Sequence, residues 1–120
     1  MDRQLKEGNG WRLGWQPQAA FPTLLGTNEW AVELTAAEFA DFRRLLLQLV
    51  ESITQLQDQL MAEETIACEA SSDLVWLEVQ GYPQQFSLSF ILLNGRRAEG
   101  SWSAHSTAEL VGAIQTIEVF

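Results

Sequence analysis

Residues 35–63 read TAAEFADFRRLLLQLVESITQLQDQLMAE, and the apolar spacing in this stretch decides the architecture. Phe39, Phe42, Leu46, Leu49, Ile53, Leu56 and Leu60 recur at alternating intervals of three and four. Such spacing lines up one stripe of an α-helix. Thr35-Ala36-Ala37-Glu38 forms a capping box at its start. The Thr35 hydroxyl accepts from the Glu38 amide, and the Glu38 carboxylate reaches back to the Thr35 amide. No Gly or Pro occurs between residues 36 and 63, so a helix is predicted from Ala36 to about Glu63. At 1.5 Å per residue it is about 42 Å long. A domain of this size has a radius of gyration of about 14 Å and a diameter of about 35 Å. The helix should cross a whole face of the fold and overhang it.

Working outward from the helix, the flanking segments alternate with a period of two. Trp11, Leu13 and Trp15 alternate with Arg12, Gly14 and Gln16, the pattern of a half-buried strand. Residues 1–10 are polar and are expected to be flexible, and Gly8-Asn9-Gly10 is read as part of that loose segment. Pro17 and Pro22 bracket a loop, Gly26-Thr27-Asn28 reads as a turn, and Glu29 to Leu34 reads as the next strand. After the helix, Ile66, Cys68 and Ala70 alternate. Leu74 to Gln80 is a strand with both faces largely apolar. Phe86, Leu88, Phe90 and Leu92 form the next. Asn94-Gly95 predicts a two-residue type I′ hairpin into a final strand from Arg96 to Ser103. Ser106-Thr107-Ala108-Glu109 reads as a second capping box, opening a helix with Leu110, Val111, Ile114 and Ile117. Val119 and Phe120 are expected to pack. The two boxes form a faint internal echo, each after a strand with a Trp, Trp30 or Trp102. The predicted class is α+β. Antiparallel sheets pack on one long helix and one short C-terminal helix, in the order β-β-α-β-β-β-β-α, as one domain over residues 1–120.

Of the 120 residues 47% are hydrophobic, among them five Trp and six Phe, enough for a sizeable core. Sixteen acidic against seven basic residues give a net charge of −9 and a pI of about 4.4. Affinity for duplex nucleic acid comes from neutralised phosphates, so such a chain is a poor partner for it. Anionic membranes are disfavoured for the same reason. The single cysteine, Cys68, forms no intrachain disulfide. The start, Met1 to Gly8, lacks the apolar core of a secretory signal. No apolar run is long enough to span a bilayer. These features lead to an expectation of a cytoplasmic location.

No catalytic, cofactor-binding or metal-ligating set stands out. Cys68 and His105 are the only thiol and imidazole, and Cys68 shares a strand face with apolar Ile66 and Ala70, where inert thiols sit. There is no Cys pair, no His pair and no acidic loop of calcium-binding form. Gly8-Asn9-Gly10 precedes a strand, whereas phosphate cradles open onto a helix. Two surfaces remain as candidates. Trp11, Arg12, Trp15, Arg96 and Arg97 have some logic for single-stranded nucleic acid, through stacking and phosphate pairing. Arg96 and Arg97, as neighbours on a strand, point to opposite faces. Leu45, Leu47 and Val50 widen the apolar face of the long helix beyond its stripe and offer a surface for a protein partner or a second copy.

Several segments resemble a family of small uncharacterised proteins from cyanobacteria and plastid-bearing organisms. They are Glu7-Gly8-Asn9-Gly10-Trp11-Arg12-Leu13-Gly14-Trp15, Trp30-Ala31-Val32-Glu33-Leu34, Leu60-Met61-Ala62-Glu63-Glu64, Val75-Trp76-Leu77-Glu78-Val79-Gln80-Gly81-Tyr82-Pro83 and Gly95-Arg96-Arg97-Ala98-Glu99-Gly100-Ser101-Trp102. Together they cover nearly the whole chain. The family is a domain of unknown function. The resemblance implies a fold similar to the Whirly single-stranded DNA-binding regulators, with sheets packed on a helix. It implies no catalytic residues. Fold does not carry function, so the leading expectation is a non-enzymatic binding or assembly protein of photosynthetic cells, a monomer or homodimer. The alternative is a single-strand nucleic-acid binder.

Overall fold

Each half of the chain lays down four antiparallel strands in sequence order and then one helix. β1 (Gln4–Gly8), β2 (Trp11–Trp15), β3 (Thr23–Gly26) and β4 (Ala31–Leu34) make the N-terminal sheet, followed by α1 (Ala36–Gln57). β5 (Ile66–Ser71), β6 (Val75–Tyr82), β7 (Gln85–Leu92) and β8 (Glu99–Trp102) make the C-terminal sheet, followed by α2 (Ala104–Thr116). The structure, a computed structural model, describes residues 3–117. The α+β class and the two helices are as expected, with two further strands, β1 and β3, ahead of α1. Val119 and Phe120 lie outside the described residues.

Within the segment read as flexible, residues 1–10, β1 is an ordered strand over Gln4–Gly8, while residues 1–2 lie outside the described residues. Leu5 pairs with Gly14 and Lys6 with Leu13. The β1–β2 turn is pinned to α2: Ser106 Oγ donates to Asn9 O at 2.9 Å, and Trp11 Nε1 donates to Glu109 Oε1 at 2.9 Å. Gly10, at φ 84°, takes the left-handed turn that a side chain would resist. These contacts also explain why Ser106 and Glu109 form no capping box. Both side chains are committed to the N-terminal hairpin, and the helix starts earlier, with Ser103 as N-cap.

The helix α1 has the capping box that its sequence predicts. It ends at Gln57 rather than near Glu63, so its 22 residues span about 33 Å, not 42 Å. The three-four spacing continues through Leu56 and Leu60, but Leu56 is exposed and Leu60 packs on the core only from the turn after the helix. Ile53 is 2% exposed, whereas Leu56 is 37% exposed. No basic residue stands in the last turn to offset the helix dipole. Glu64 instead folds back to accept from the Met61 amide.

The hairpin predicted at Asn94-Gly95 is a longer loop. Leu92 N–H bonds to Ala98 O, so β8 begins only at Glu99. The cause lies in α1. Glu38 is fully buried, and its carboxylate accepts from Asn94 Nδ2 at 2.6 Å and from Arg96 Nη1 at 2.6 Å. Arg96 also donates to Glu33 O. Its guanidinium lies 4.8 Å from the Phe21 ring centroid. Arg97, next along, takes φ 55°.

A chain of aromatic rings unites the halves. Centroid separations are 6.4 Å for Trp15–Phe39, 6.4 Å for Phe39–Phe42, 5.7 Å for Phe42–Phe90, 5.5 Å for Phe90–Trp102 and 5.3 Å for Trp102–Trp30. Each such pair adds about 0.5–1.5 kcal/mol beyond area burial. Trp102 Nε1 donates to Gly26 O at 2.9 Å, a buried bond between the two sheets. Gly100 is required here: a Cβ on it would lie 2.3 Å from Trp30 Cη2.

Candidate functional site

The C-terminal sheet turns Val75, Leu77, Val79, Leu88, Phe90 and Trp102 inward, all buried against α1 and α2. Alternation then sends the intervening residues to the opposite face. The register arranges them in rows. Ser71, Trp76, Ile91 and Glu99 make one, and Glu69, Glu78, Ser89 and Ser101 the next. Ala67, Gln80 and Ser87 make the third. β6 therefore has one buried and one outward face, where the sequence reading took both as apolar.

This outward face is a shallow depression of about 420 Å³. Trp76 and Ile91 are its apolar floor, Glu78 and Glu99 its rim, and Trp30 closes it at the β8 edge. Trp76 is half-buried, with Nε1 donating to Glu69 Oε2 at 3.3 Å. Glu78 accepts from Gln80 Nε2 at 3.0 Å. Glu69 and Glu78 stand directly opposite each other on adjacent strands. Like charges so placed repel. None of the residues in the three rows is Lys or Arg, so no cation on the face offsets the three carboxylates. The sequence does carry a signal for this face: no Lys or Arg occurs between Arg44 and Arg96.

The residues singled out from sequence lie elsewhere, and most are engaged. Trp11 and Trp15 are each 7% exposed and offer no face for stacking. The Arg12 guanidinium donates to Thr27 O at 2.7 Å and Trp30 O at 3.1 Å, closing the β3–β4 turn. Arg96 is held by Glu38. Arg97 is exposed. These five residues form no common nucleic-acid surface, because the strand period that makes Trp11 and Trp15 look like a platform turns both into the core. Leu45 is buried, contrary to its reading as an unclaimed flank, while Leu47 and Val50 are half-buried. The Arg43 guanidinium, from the same helix, donates to Gln115 O on α2.

Cys68 lies on β5 and His105 follows β8, at opposite edges of the C-terminal sheet. Three strand spacings separate those edges, about 14 Å, so the pair makes no nucleophile–base couple. The His105 ring instead shares a hydrogen bond with Gln85 Nε2 at 3.2 Å. Among the described residues no three His, Cys, Asp or Glu side chains converge to hold a metal ion. No helix there is long and apolar enough to cross a membrane.

Comparison with known proteins supports the fold and leaves the activity open. No curated protein matches the chain. A crystal structure of a protein of unknown function from the DUF155 family of Prochlorococcus sp. NATL2A is similar throughout. It is 29% identical, with a TM-score of 0.90, over 96% of this chain and 98% of that one. The family described as domain of unknown function DUF1818 matches residues 6–117, and the chain belongs to that family.

Proposed function

We propose that this is a non-enzymatic binding protein whose outward C-terminal sheet face docks a basic segment of a protein partner. One observation carries the reading: Glu69, Glu78 and Glu99 surround Trp76 and Ile91 with no cation among them. Carboxylates around an aromatic floor suit Arg and Lys side chains, which pair at the rim and lie over the indole. The acidic excess of the whole chain adds long-range attraction for the same partner. A photosynthetic-cell origin fits the structural relative from Prochlorococcus, and a cytoplasmic setting belongs to the same proposal. Two antiparallel sheets packed with a long helix support the Whirly-like reading of the fold that the resemblance implies. It does not bring nucleic acid with it, since phosphates would meet carboxylates on this face.

The test is titration of an alternating Arg-Val peptide, followed by Trp fluorescence and calorimetry at about 50 mM salt, where surface electrostatics is least screened. Binding should weaken as salt rises. Glu78→Gln and Glu99→Gln should each weaken it by about 2–5-fold, the scale of one exposed ion pair. An acidic peptide and a single-stranded oligonucleotide complete the set. No binding of the basic peptide, or preferential binding of the oligonucleotide, overturns the proposal.

A further inference from the structure

The four sheet edges are not equally guarded. β4 is four residues long, and its Glu33 carbonyl is taken by Arg96. β8 is also four residues long and has the Trp30 ring against Gly100. β1 carries Lys6 and Glu7, the charges with which edges resist pairing. β5 is the least defended, with Glu69 as its one charge. It is six residues long, Ile66-Ala67-Cys68-Glu69-Ala70-Ser71, with no Pro and no Lys. Among the described residues no backbone hydrogen bond from outside the sheet reaches it. Its inward Cys68 and Ala70 are only half-covered, so the core is open at this rim.

We propose that β5 pairs antiparallel with β5 of a second copy of this chain, joining the two C-terminal sheets into one. The register comes from side-chain direction and charge. A two-fold axis normal to the sheet keeps inner faces together, so a residue pairs only with one of the same parity. Centring on Glu69 sets two carboxylates opposite each other, which is destabilising. Centring on Ala67 or Ala70 shortens the overlap. Centring on Cys68 pairs residues 66–70 fully: Ile66 faces Ala70, Ala67 faces Glu69, and Cys68 faces its own copy. The half-covered Cys68 and Ala70 then become interior. The pairing runs along the backbone edge beside the acidic face and shares Glu69 with it; sedimentation reads the pairing and peptide titration reads the docking, so the failure of one is distinguishable from the failure of the other.

The test uses charge at residue 67, an exposed position. Sedimentation equilibrium at about 0.15 M salt, where the Debye length is about 8 Å, is run from about 1 µM to about 1 mM. Native protein should associate to twice its 13.5 kDa mass. Ala67→Glu should weaken association and Ala67→Lys should tighten it, each by about 2–30-fold, because two symmetric cross-strand pairs change at once. A general disruption of the edge would move both variants in one direction. Copper phenanthroline with oxygen, removing one electron and one proton from each thiol, should link the two Cys68 residues in the dimer. A monomer at every concentration, equal-sign shifts for the two variants, or a dimer that does not link through Cys68 overturns the inference.

Discussion

Arg96→Ala tests the contact that departs furthest from local sequence rules. The Glu38 carboxylate is fully buried and has three donors: Thr35 N–H at 2.8 Å, Asn94 Nδ2 at 2.6 Å and Arg96 Nη1 at 2.6 Å. Removing Arg96 takes away the cation paired with Glu38 and one of the donors. Stripping one partner from a buried pair costs about 3–5 kcal/mol. Here the Arg96 side chain is 30% exposed, so water enters where it leaves, and two donors stay. The expected loss is therefore nearer about 2 kcal/mol, the scale of a hydrogen bond to a charged group. For a domain of this length that lowers Tm by about 8 °C. Urea melts followed by Trp fluorescence give the value. Glu38→Gln in the Arg96→Ala background removes the stranded charge and should restore part of the stability, and the double-mutant cycle isolates the coupling. Arg97→Ala, beside it and exposed, should stay within about 0.5 kcal/mol. If Arg96→Ala costs less than about 0.5 kcal/mol, or costs the same with Gln at position 38, the pair is an ordinary surface contact. The explanation of the opened hairpin then fails.

Three further outcomes are expected. Gly100→Val should destabilise by about 1–3 kcal/mol by overpacking against Trp30, with a shift in Trp emission; an unchanged melt would mean the two do not touch. Glu109→Ala should leave Trp11 Nε1 without its partner, costing about 1–2 kcal/mol and speeding hydrogen exchange in β1 more than in β6. Leu56→Ala should change stability by no more than about 0.5 kcal/mol, whereas Ile53→Ala should cost about 2–4 kcal/mol; equal effects would mean the packed stripe runs on past Gln57.

What the sequence made legible was whatever short-range physics decides alone. The α1 start is set by Thr35 and Glu38, which need only each other. The inward row of β7 is set by alternation. The parts that went unread depend on distant partners. Leu56 carries the same spacing as Leu49 and Ile53, and only its lack of a packed neighbour tells it apart, while Leu60 meets the core from beyond the helix. Asn94-Gly95 is a hairpin signal until a buried carboxylate from residue 38 claims Asn94 and Arg96. Ser106 and Glu109 read as a cap until the β1–β2 turn takes both. β3 is hidden because the four residues Thr23–Gly26 are too few to display a period. On the candidate site, Trp11 and Trp15 were weighed for their chemistry, but burial decides what chemistry can be used.

The two halves share one topology and differ in what their outer faces carry. The N-terminal sheet sets Gly14 between Leu5 and Leu24, and Arg12 beside Gly26. The C-terminal sheet sets Trp76 and Ile91 among carboxylates, with Glu69 opposing Glu78. A fold optimised only for stability would place a Lys in one of those two positions, since an opposite-charge pair there is worth about 0.2–1 kcal/mol. Glu69 and Glu78 have neutral donors in Trp76 and Gln80 but no opposing charge, and functional sites are where natural sequences break such local rules. On the reading proposed above, that charge is met by a cation from outside. Glu78→Lys should therefore raise the stability of the isolated chain while weakening its hold on a basic peptide, and that opposition of signs is what separates a retained binding face from an idle one.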